Sequence, residues 1–309
     1  MKIAITGTSG FVGQNLTTYL QQHNNHDILK IGRAPSAAAE QQLNISAFLN
    51  DANIAYDAMV HLAGKAHDLK KTANNSEYDT VNFELTRSLF DHFNRSAAGT
   101  FIFISSVKAV ADIPEGIVTE NTPPSPGTPY GVSKLKAEEY INNTSLAPGK
   151  KVYILRPCMV HGPGNKGNLN LLTGLVKKNI PYPLAAFQNK RSFLSIENLC
   201  FVINEILSRN NVPSGTYNVA DDESISTNEL VQIIGMALNK KPHIWKINKG
   251  LITVLAKLGD LLHLPFSSEN MEKLTGNYVV SNKNIISALG KPLPVTTRDG
   301  LIKTLNSLK

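Results

Sequence analysis

Lys2-Ile-Ala-Ile-Thr-Gly-Thr-Ser-Gly-Phe-Val-Gly13, almost at the start of the chain, decides the fold. Lys2 to Thr6 is a short run of apolar and β-branched residues, the pattern of a strand buried on both faces. The helical spacing from about Phe11 to Gln22 begins inside the same stretch. Gly7, Gly10 and Gly13 therefore fall between a strand and a helix, the context that a phosphate-binding turn requires. Gly7 and Gly10 let the backbone turn tightly and approach a pyrophosphate, and Gly13 lets the helix pack closely on the strand. The phosphates would sit at the positive helix end, with Ser9, Phe11 and Val12 completing the loop. The Gly-x-x-Gly-x-x-Gly spacing differs from the Gly-x-Gly-x-x-Gly of many dehydrogenases, yet dinucleotide binding is the reading we carry forward.

The rest of the first half repeats the strand-helix theme. Ile28 to Gly32, Ala58 to Ala63, Thr100 to Ser105 and Val152 to Arg156 read as strands, with a long helix over Tyr78 to Ser96. Such alternation predicts an α/β fold of the Rossmann type, a doubly wound parallel sheet with helices on both faces. From about Cys158 the loops become rich in Gly, Pro and Asn. Phe193 to Leu207 reads as a return to the first domain, and Thr216 to Val219 as one more strand. We therefore expect a dinucleotide domain over 1–157 to which 190–220 returns, and a smaller interleaved α/β lobe for substrate over 158–189 and 221–309.

The end of the second strand bears on the choice of cofactor. An acidic residue there would bind the ribose diol of NAD, whereas an Arg suits the extra phosphate of NADP. The sequence reads Lys30-Ile-Gly-Arg33, so Arg33 favours NADP(H), and NAD(H) is the alternative because Asp27 lies just before the strand.

Tyr130 and Lys134 stand four residues apart in Pro129-Tyr-Gly-Val-Ser-Lys134, on one face of a helix. A lysine held near a phenol favours phenolate and lowers a tyrosine pKa of about 10, which would let the group exchange a proton near neutral pH. Tyr130 is the one tyrosine of 9 with Lys at this spacing.

A chain of 309 residues with 42% hydrophobic and 18% charged residues is an ordinary globular composition. The net charge of +7 suits an anionic ligand, but the basic residues are scattered, so nucleic-acid binding is the weaker reading. Cys158 and Cys200 form no metal or redox pair and read as buried thiols in a reducing, cytoplasmic location. Met1 to Thr6 runs straight into a strand, with no apolar signal segment. No stretch reaches the roughly 18 apolar residues of a membrane span. Leu251 to Phe266 comes nearest, and Lys257, Asp260 and His263 make it an amphipathic helix packed on the body or on a partner. His61 and His67 lack a third ligand at metal spacing, so no metal is expected. Without Gly-x-Ser-x-Gly a hydrolase is poorly supported.

Gly7/Gly10/Gly13, His61-Leu-Ala-Gly64, Ser105-Ser106 and Tyr130/Lys134, in this order, resemble the extended short-chain dehydrogenases/reductases, the NAD-dependent epimerase/dehydratase family. Arg156-Pro-Cys-Met-Val-His-Gly-Pro-Gly164 is similar to that family's Arg-Pro-x-x-Val-Tyr-Gly-Pro-Gly, with His161 for Tyr. Arg191 to Leu199 and Gly215 to Val219 match later segments, so the resemblance spans nearly the whole chain. It implies Tyr130 as acid/base and Lys134 as the residue that lowers its pKa and bonds the nicotinamide ribose. Ser106 would bond the reacting oxygen. Aligning Ala109-Val-Ala111 with the family's Val-Tyr-Gly favours it over Ser105, and either serine could instead cap the strand. Leu62, Ala63 and Gly64 would lie against the cofactor, and Asn82 matches a supporting position or is a plain surface residue. Arg191 and Asn168 match positions that hold the pyrophosphate and nucleotide of a nucleotide sugar. Homodimerisation through helices flanking the site is also implied.

Within the family, dehydratases carry an Asp-Glu pair directly after the catalytic Ser/Thr. Here Val107-Lys108 follows, which sets dehydration aside. Epimerases retain NAD, whereas reductases consume NADPH. Arg33 tips the reading to reduction. Ser105-Ser-Val-Lys108 and Gly162-Pro-Gly-Asn-Lys-Gly-Asn168 look most like bacterial reductases of 4-keto-6-deoxy-N-acetylhexosamine nucleotides. Those enzymes serve UDP-N-acetylquinovosamine-type surface polysaccharide precursors. The alternative is a UDP-hexose C4-epimerase. A cofactor-sensing protein without chemistry is the third reading, and the intact Tyr/Lys pair argues against it.

Overall fold

The computed structural model describes residues 1–24, 26–33, 42–65, 75–165, 169–262 and 267–308. The elements run β1 (Lys2–Thr6), α1 (Phe11–Asn24), β2 (Asp27–Gly32), β3 (Gln42–Asn44), α2 (Ile45–Asn50), β4 (Ala58–His61), α3 (Asn75–Tyr78) and α4 (Leu85–Arg95). They continue with β5 (Thr100–Ile104), β6 (Ile117–Val118), α5 (Pro129–Asn143), β7 (Lys151–Pro157), β8 (Met159–His161), α6 (Leu169–Lys177), β9 (Arg191–Ser195), α7 (Ile196–Ser208) and β10 (Gly215–Val219). The last part holds β11 (Ser224–Ile225), α8 (Thr227–Ala237), α9 (Lys249–Leu261), α10 (Ser268–Thr275), β12 (Val279–Val280), α11 (Lys283–Leu289) and α12 (Thr297–Asn306).

Strand side chains alternate between two cores, as a period of two demands. Ile3 and Ile5 of β1, Ala58 and Val60 of β4, Ile102 of β5, and Tyr153 and Leu155 of β7 meet α1 and α7 on one face. Ala4, Met59, Phe101, Phe103, Val152 and Ile154 meet α2, α4 and α5 on the other. Both faces are covered, so the middles of β1, β4 and β5 are apolar and their polar residues, Lys2, Thr6, His61 and Thr100, stand at the strand ends. The seven strands are parallel and ordered β10-β7-β5-β4-β1-β2-β3. The chain enters at β1 and builds outward in both directions, which leaves a crevice beyond the C-terminal ends of β1 and β4, where such sheets bind ligands.

Three sequence expectations shift. The long helix begins at Asn75 and is interrupted by a π-helical turn, Asp79–Glu84, before α4. The β4 strand ends at His61, because Thr6 draws the next backbone amides away from the ladder. Within 193–207, α7 does pack on α1 in the first core. Its preceding strand β9, however, pairs with β8 and β11 in a separate three-stranded sheet. The short β3 and α2 had no visible signal. A third core, with Leu172 of α6, Ile234 of α8, Ile252 of α9 and Leu301 of α12, lies in the second lobe.

Candidate active site

The glycines of the first loop do different work. Gly7 adopts φ +72°, and a Cβ there would stand 2.7 Å from the Ala63 backbone nitrogen. A Cβ on Gly13 would come within 2.2 Å of the Gly7 carbonyl oxygen, so helix and loop can meet only without a side chain. At Gly10 the nearest atom is 3.3 Å away, and Ser9 and Gly10 are exposed at the α1 N-terminus. The fold thus needs Gly7 and Gly13, while Gly10 keeps the outer surface of the cradle open. That space, at the positive end of a 14-residue helix, fits a pyrophosphate. The side chains of Phe11 and Val12 pack against the first core, Phe11 beside Gly162.

Thr6 ties the two strand ends together. Its Oγ1 accepts from the Leu62 and Ala63 amides at 3.2 and 3.1 Å. Its own hydrogen therefore goes to His61 Nδ1, 2.7 Å away. Nε2–H of His61 donates in turn to Thr86 Oγ1, which donates to the Asn82 carbonyl. Burial, with Lys134 nearby, pushes the His61 pKa down to about 3 and keeps the ring neutral. His61 is thus a fastener of the loops, committed on both nitrogens; His67 lies outside the described residues.

Helix α5 carries Tyr130 and Lys134 to this crevice. Thr128 caps it by accepting from the Gly131 amide, and Pro129 occupies the first turn, where its missing N–H costs nothing. Asp112 accepts from the Gly127 and Thr128 amides and from Thr128 Oγ1, joining the loop after β5 to the helix start. Gly131 permits the contact, since a Cβ there would lie 2.4 Å from the Lys108 carbonyl oxygen. The outcome is a hydrogen bond between Tyr130 and Ser106. Ser105 turns the other way and donates to Glu138.

The expected lowering of the Tyr130 pKa is corrected by the structure. Burial raises the phenol above its ordinary value, the bond to Ser106 pulls it back in part, and Tyr78 adds to the rise. Lys134 donates to the Ile104 carbonyl at 2.9 Å and lies 4.7 Å from the Phe103 ring centre. Its ammonium also faces Gly64, where a Cβ would stand 3.3 Å from Nζ. Desolvation drops its pKa to about 8, against the pull of Glu138. One turn further on, Glu138 receives both Nε and Nη2 of Arg156, at 3.0 and 2.5 Å.

Asn82, in the π-helical turn, is fully buried rather than a surface residue. It accepts from the Lys65 amide at 2.7 Å and donates to the Lys65 carbonyl and to Ser133 Oγ. Ser133 bonds the Tyr130 carbonyl, so Asn82 links the Gly64 strand end to the start of α5.

Arg33 follows directly on β2, exposed at the C-terminal end of the strand. Asp27 opens the same strand opposite Lys2, at its far end. Arg191 lies in β9 of the second lobe beside Tyr278, and burial lowers its pKa. Asn168 lies outside the described residues. Tyr278 was missed as a site element: its hydroxyl reaches the carbonyls of Ala111 and Val107, at 2.6 and 3.1 Å, just beyond Ser106. Its ring also carries Lys108 Nζ at 4.8 Å. His161 is buried away from the crevice, with Nδ1 donating to Thr304 and Nε2 3.6 Å from Asp221. Both cysteines are buried free thiols, and burial raises their pKa values.

The chain is 30% identical to the UDP-glucose 4-epimerase of Vibrio cholerae, over 98% of its own length and 94% of that protein's. It is 25% identical to the GDP-6-deoxy-D-mannose reductase of Pseudomonas aeruginosa, covering 75% of this chain and 79% of that one. The solved UDP-N-acetylglucosamine 4-epimerase from Bacillus cereus superposes with a TM-score of 0.76 at 20% identity, over 100% of this chain and 99% of that one. A family model described as the NAD dependent epimerase/dehydratase family matches residues 3–220. With its parallel sheet, glycine cradle and Tyr130/Lys134 helix, the chain belongs to the NAD-dependent epimerase/dehydratase family.

Proposed function

We propose that the protein reduces the C4 ketone of a nucleotide-activated hexose with NADPH. The substrate class is a UDP-4-keto-6-deoxy-N-acetylhexosamine used for surface polysaccharide precursors. The carrying observation is Arg33: it stands at the C-terminal end of β2, and no carboxylate occurs from Ile28 to Arg33. The cofactor supplies the hydride that adds to C4. Tyr130 gives its phenolic proton to the oxygen as negative charge develops there, and Ser106 hydrogen-bonds the same oxygen. A phenol whose pKa is raised by burial is protonated at neutral pH, the form needed to donate. Lys134, facing Gly64, holds the nicotinamide ribose, while Gly7, Gly10 and Gly13 seat the pyrophosphate. Arg191 and Asn168 hold the diphosphate and nucleotide of the sugar. Val107 is buried apolar and Lys108 is bound to Asp112, so the positions after Ser106 supply no acid pair for dehydration.

A second reading, C4 epimerisation with retained NAD, is favoured by the likeness to the Vibrio cholerae epimerase over almost the full length. The deciding experiment is NADPH oxidation with UDP- and dTDP-linked 4-keto-6-deoxy sugars, with NADH in parallel. We expect turnover with NADPH, and a loss of about 100-fold or more in Tyr130→Phe. Preference for NADH, or sugar epimers interconverting on protein that carries its own NAD, would overturn reduction.

A further inference from the structure

The helix that the sequence flagged as amphipathic, α9, has two apolar faces. Ile252, Ala256 and Gly259 are buried against the second lobe. Leu251, Val254, Leu255, Leu258, Leu261 and the following Leu262 line a second stripe at spacings of three and four, each between 46% and 73% exposed. Scattered apolar residues are ordinary on a surface, but these six form one continuous stripe along a single helix. Lys257 borders the stripe, and exposed Lys246 and Lys249 stand at the N-terminal end of the helix, Lys249 with its Nζ 5.7 Å from the Phe187 ring centre. The one acid in the helix, Asp260, accepts from the Ser268 amide. Trp245, 55% exposed, stands four residues before the helix begins.

The stripe is too small for a stable partner interface. From Leu251 to Leu262 it rises about 16 Å and is about 10 Å wide, on the order of 160 Å². A standard protein interface buries about 800 Å² per partner. A second copy would also set one lysine rim against another. Negatively charged headgroups, by contrast, complement the rim while the leucines enter the acyl boundary. Among the described residues no helix is long and apolar enough to cross a membrane, so this one would lie on the surface. We propose that α9 docks the protein onto an anionic lipid surface, independently of which reaction it catalyses.

The test is co-sedimentation of the full chain with vesicles of phosphatidylcholine alone and of phosphatidylcholine with one-third phosphatidylglycerol. We expect wild type to pellet with the anionic vesicles and Leu255→Glu/Leu258→Glu to lose binding about tenfold or more. Both positions are exposed, so the fold should persist, checked by an unchanged melting temperature. Lys246→Glu/Lys257→Glu leaves the stripe intact and should weaken binding on the order of tenfold on anionic vesicles only. Wild type remaining in the supernatant, or the leucine variant pelleting like wild type, would overturn the proposal. So would a wild-type dimer in sedimentation velocity that the leucine variant splits, since a second copy would then be the occupant.

Discussion

Glu138 shows how one residue can serve a site without facing it. It lies a turn beyond Lys134 on α5, buried, accepting from Ser105 and doubly from Arg156. Its charge opposes the desolvation that drops Lys134 to about 8. A lysine pKa lowered on folding means that the unfolded chain holds more protons between about 8 and the ordinary value of 10.5. This group's contribution to stability therefore rises with pH through that window, and the burial penalty is complete below it. If the cation is needed for turnover, the rate should fall as pH rises through about 8. Glu138→Gln should move that limb to lower pH, and should destabilise by roughly 3–5 kcal/mol by stranding Arg156. A pH–rate profile with an unmoved alkaline limb in the variant would show that Glu138 does not tune Lys134.

At the scale of elements, the π-helical turn between α3 and α4 matters most. The extra residue re-aims Asn82 toward Lys65 and Ser133 while Leu89, Phe90 and Phe93 of α4 stay on the sheet. We expect Asn82→Ala to cost about 1–3 kcal/mol, because partly buried backbone groups of Lys65 and the buried Ser133 hydroxyl lose their partner. It should also weaken cofactor binding, since the loosened Lys65 adjoins Gly64 opposite Lys134. Thermal melts and a cofactor titration check both effects. Helical periodicity in the sequence shows that a helix is there, but not the i→i+5 turn, since that depends on what its polar side chain finds across the crevice. For the same reason the sequence left Asn82 open between surface and support. The helix start at Thr128-Pro129, by contrast, is set by local capping within a few residues.

At the scale of the whole molecule, Tyr278 joins segments distant in sequence beside the candidate site. Its hydroxyl reaches Ala111 and Val107, while its backbone bonds Ser192 and Lys190. Tyr278→Phe should remove about 1 kcal/mol and lower Tm by about 2 °C. It should also raise KM for the sugar more than it lowers kcat, as the loop after β5 and β9 lose register. A calorimetric melt indistinguishable from wild type would refute the join.

Six of the seven strands of the parallel sheet (all but β3), the glycine cradle and the Tyr130/Lys134 face were determined by the sequence itself, because each rests on spacing within a few residues. Burial and pairing between distant segments decided the rest. They turned Ser106 to Tyr130 and Ser105 to Glu138, raised the phenol that the Tyr/Lys spacing alone would lower, and placed Tyr278 beside the loop after β5. Desolvation and long-range hydrogen bonds exist only once the chain is packed, so no local pattern of residues encodes them.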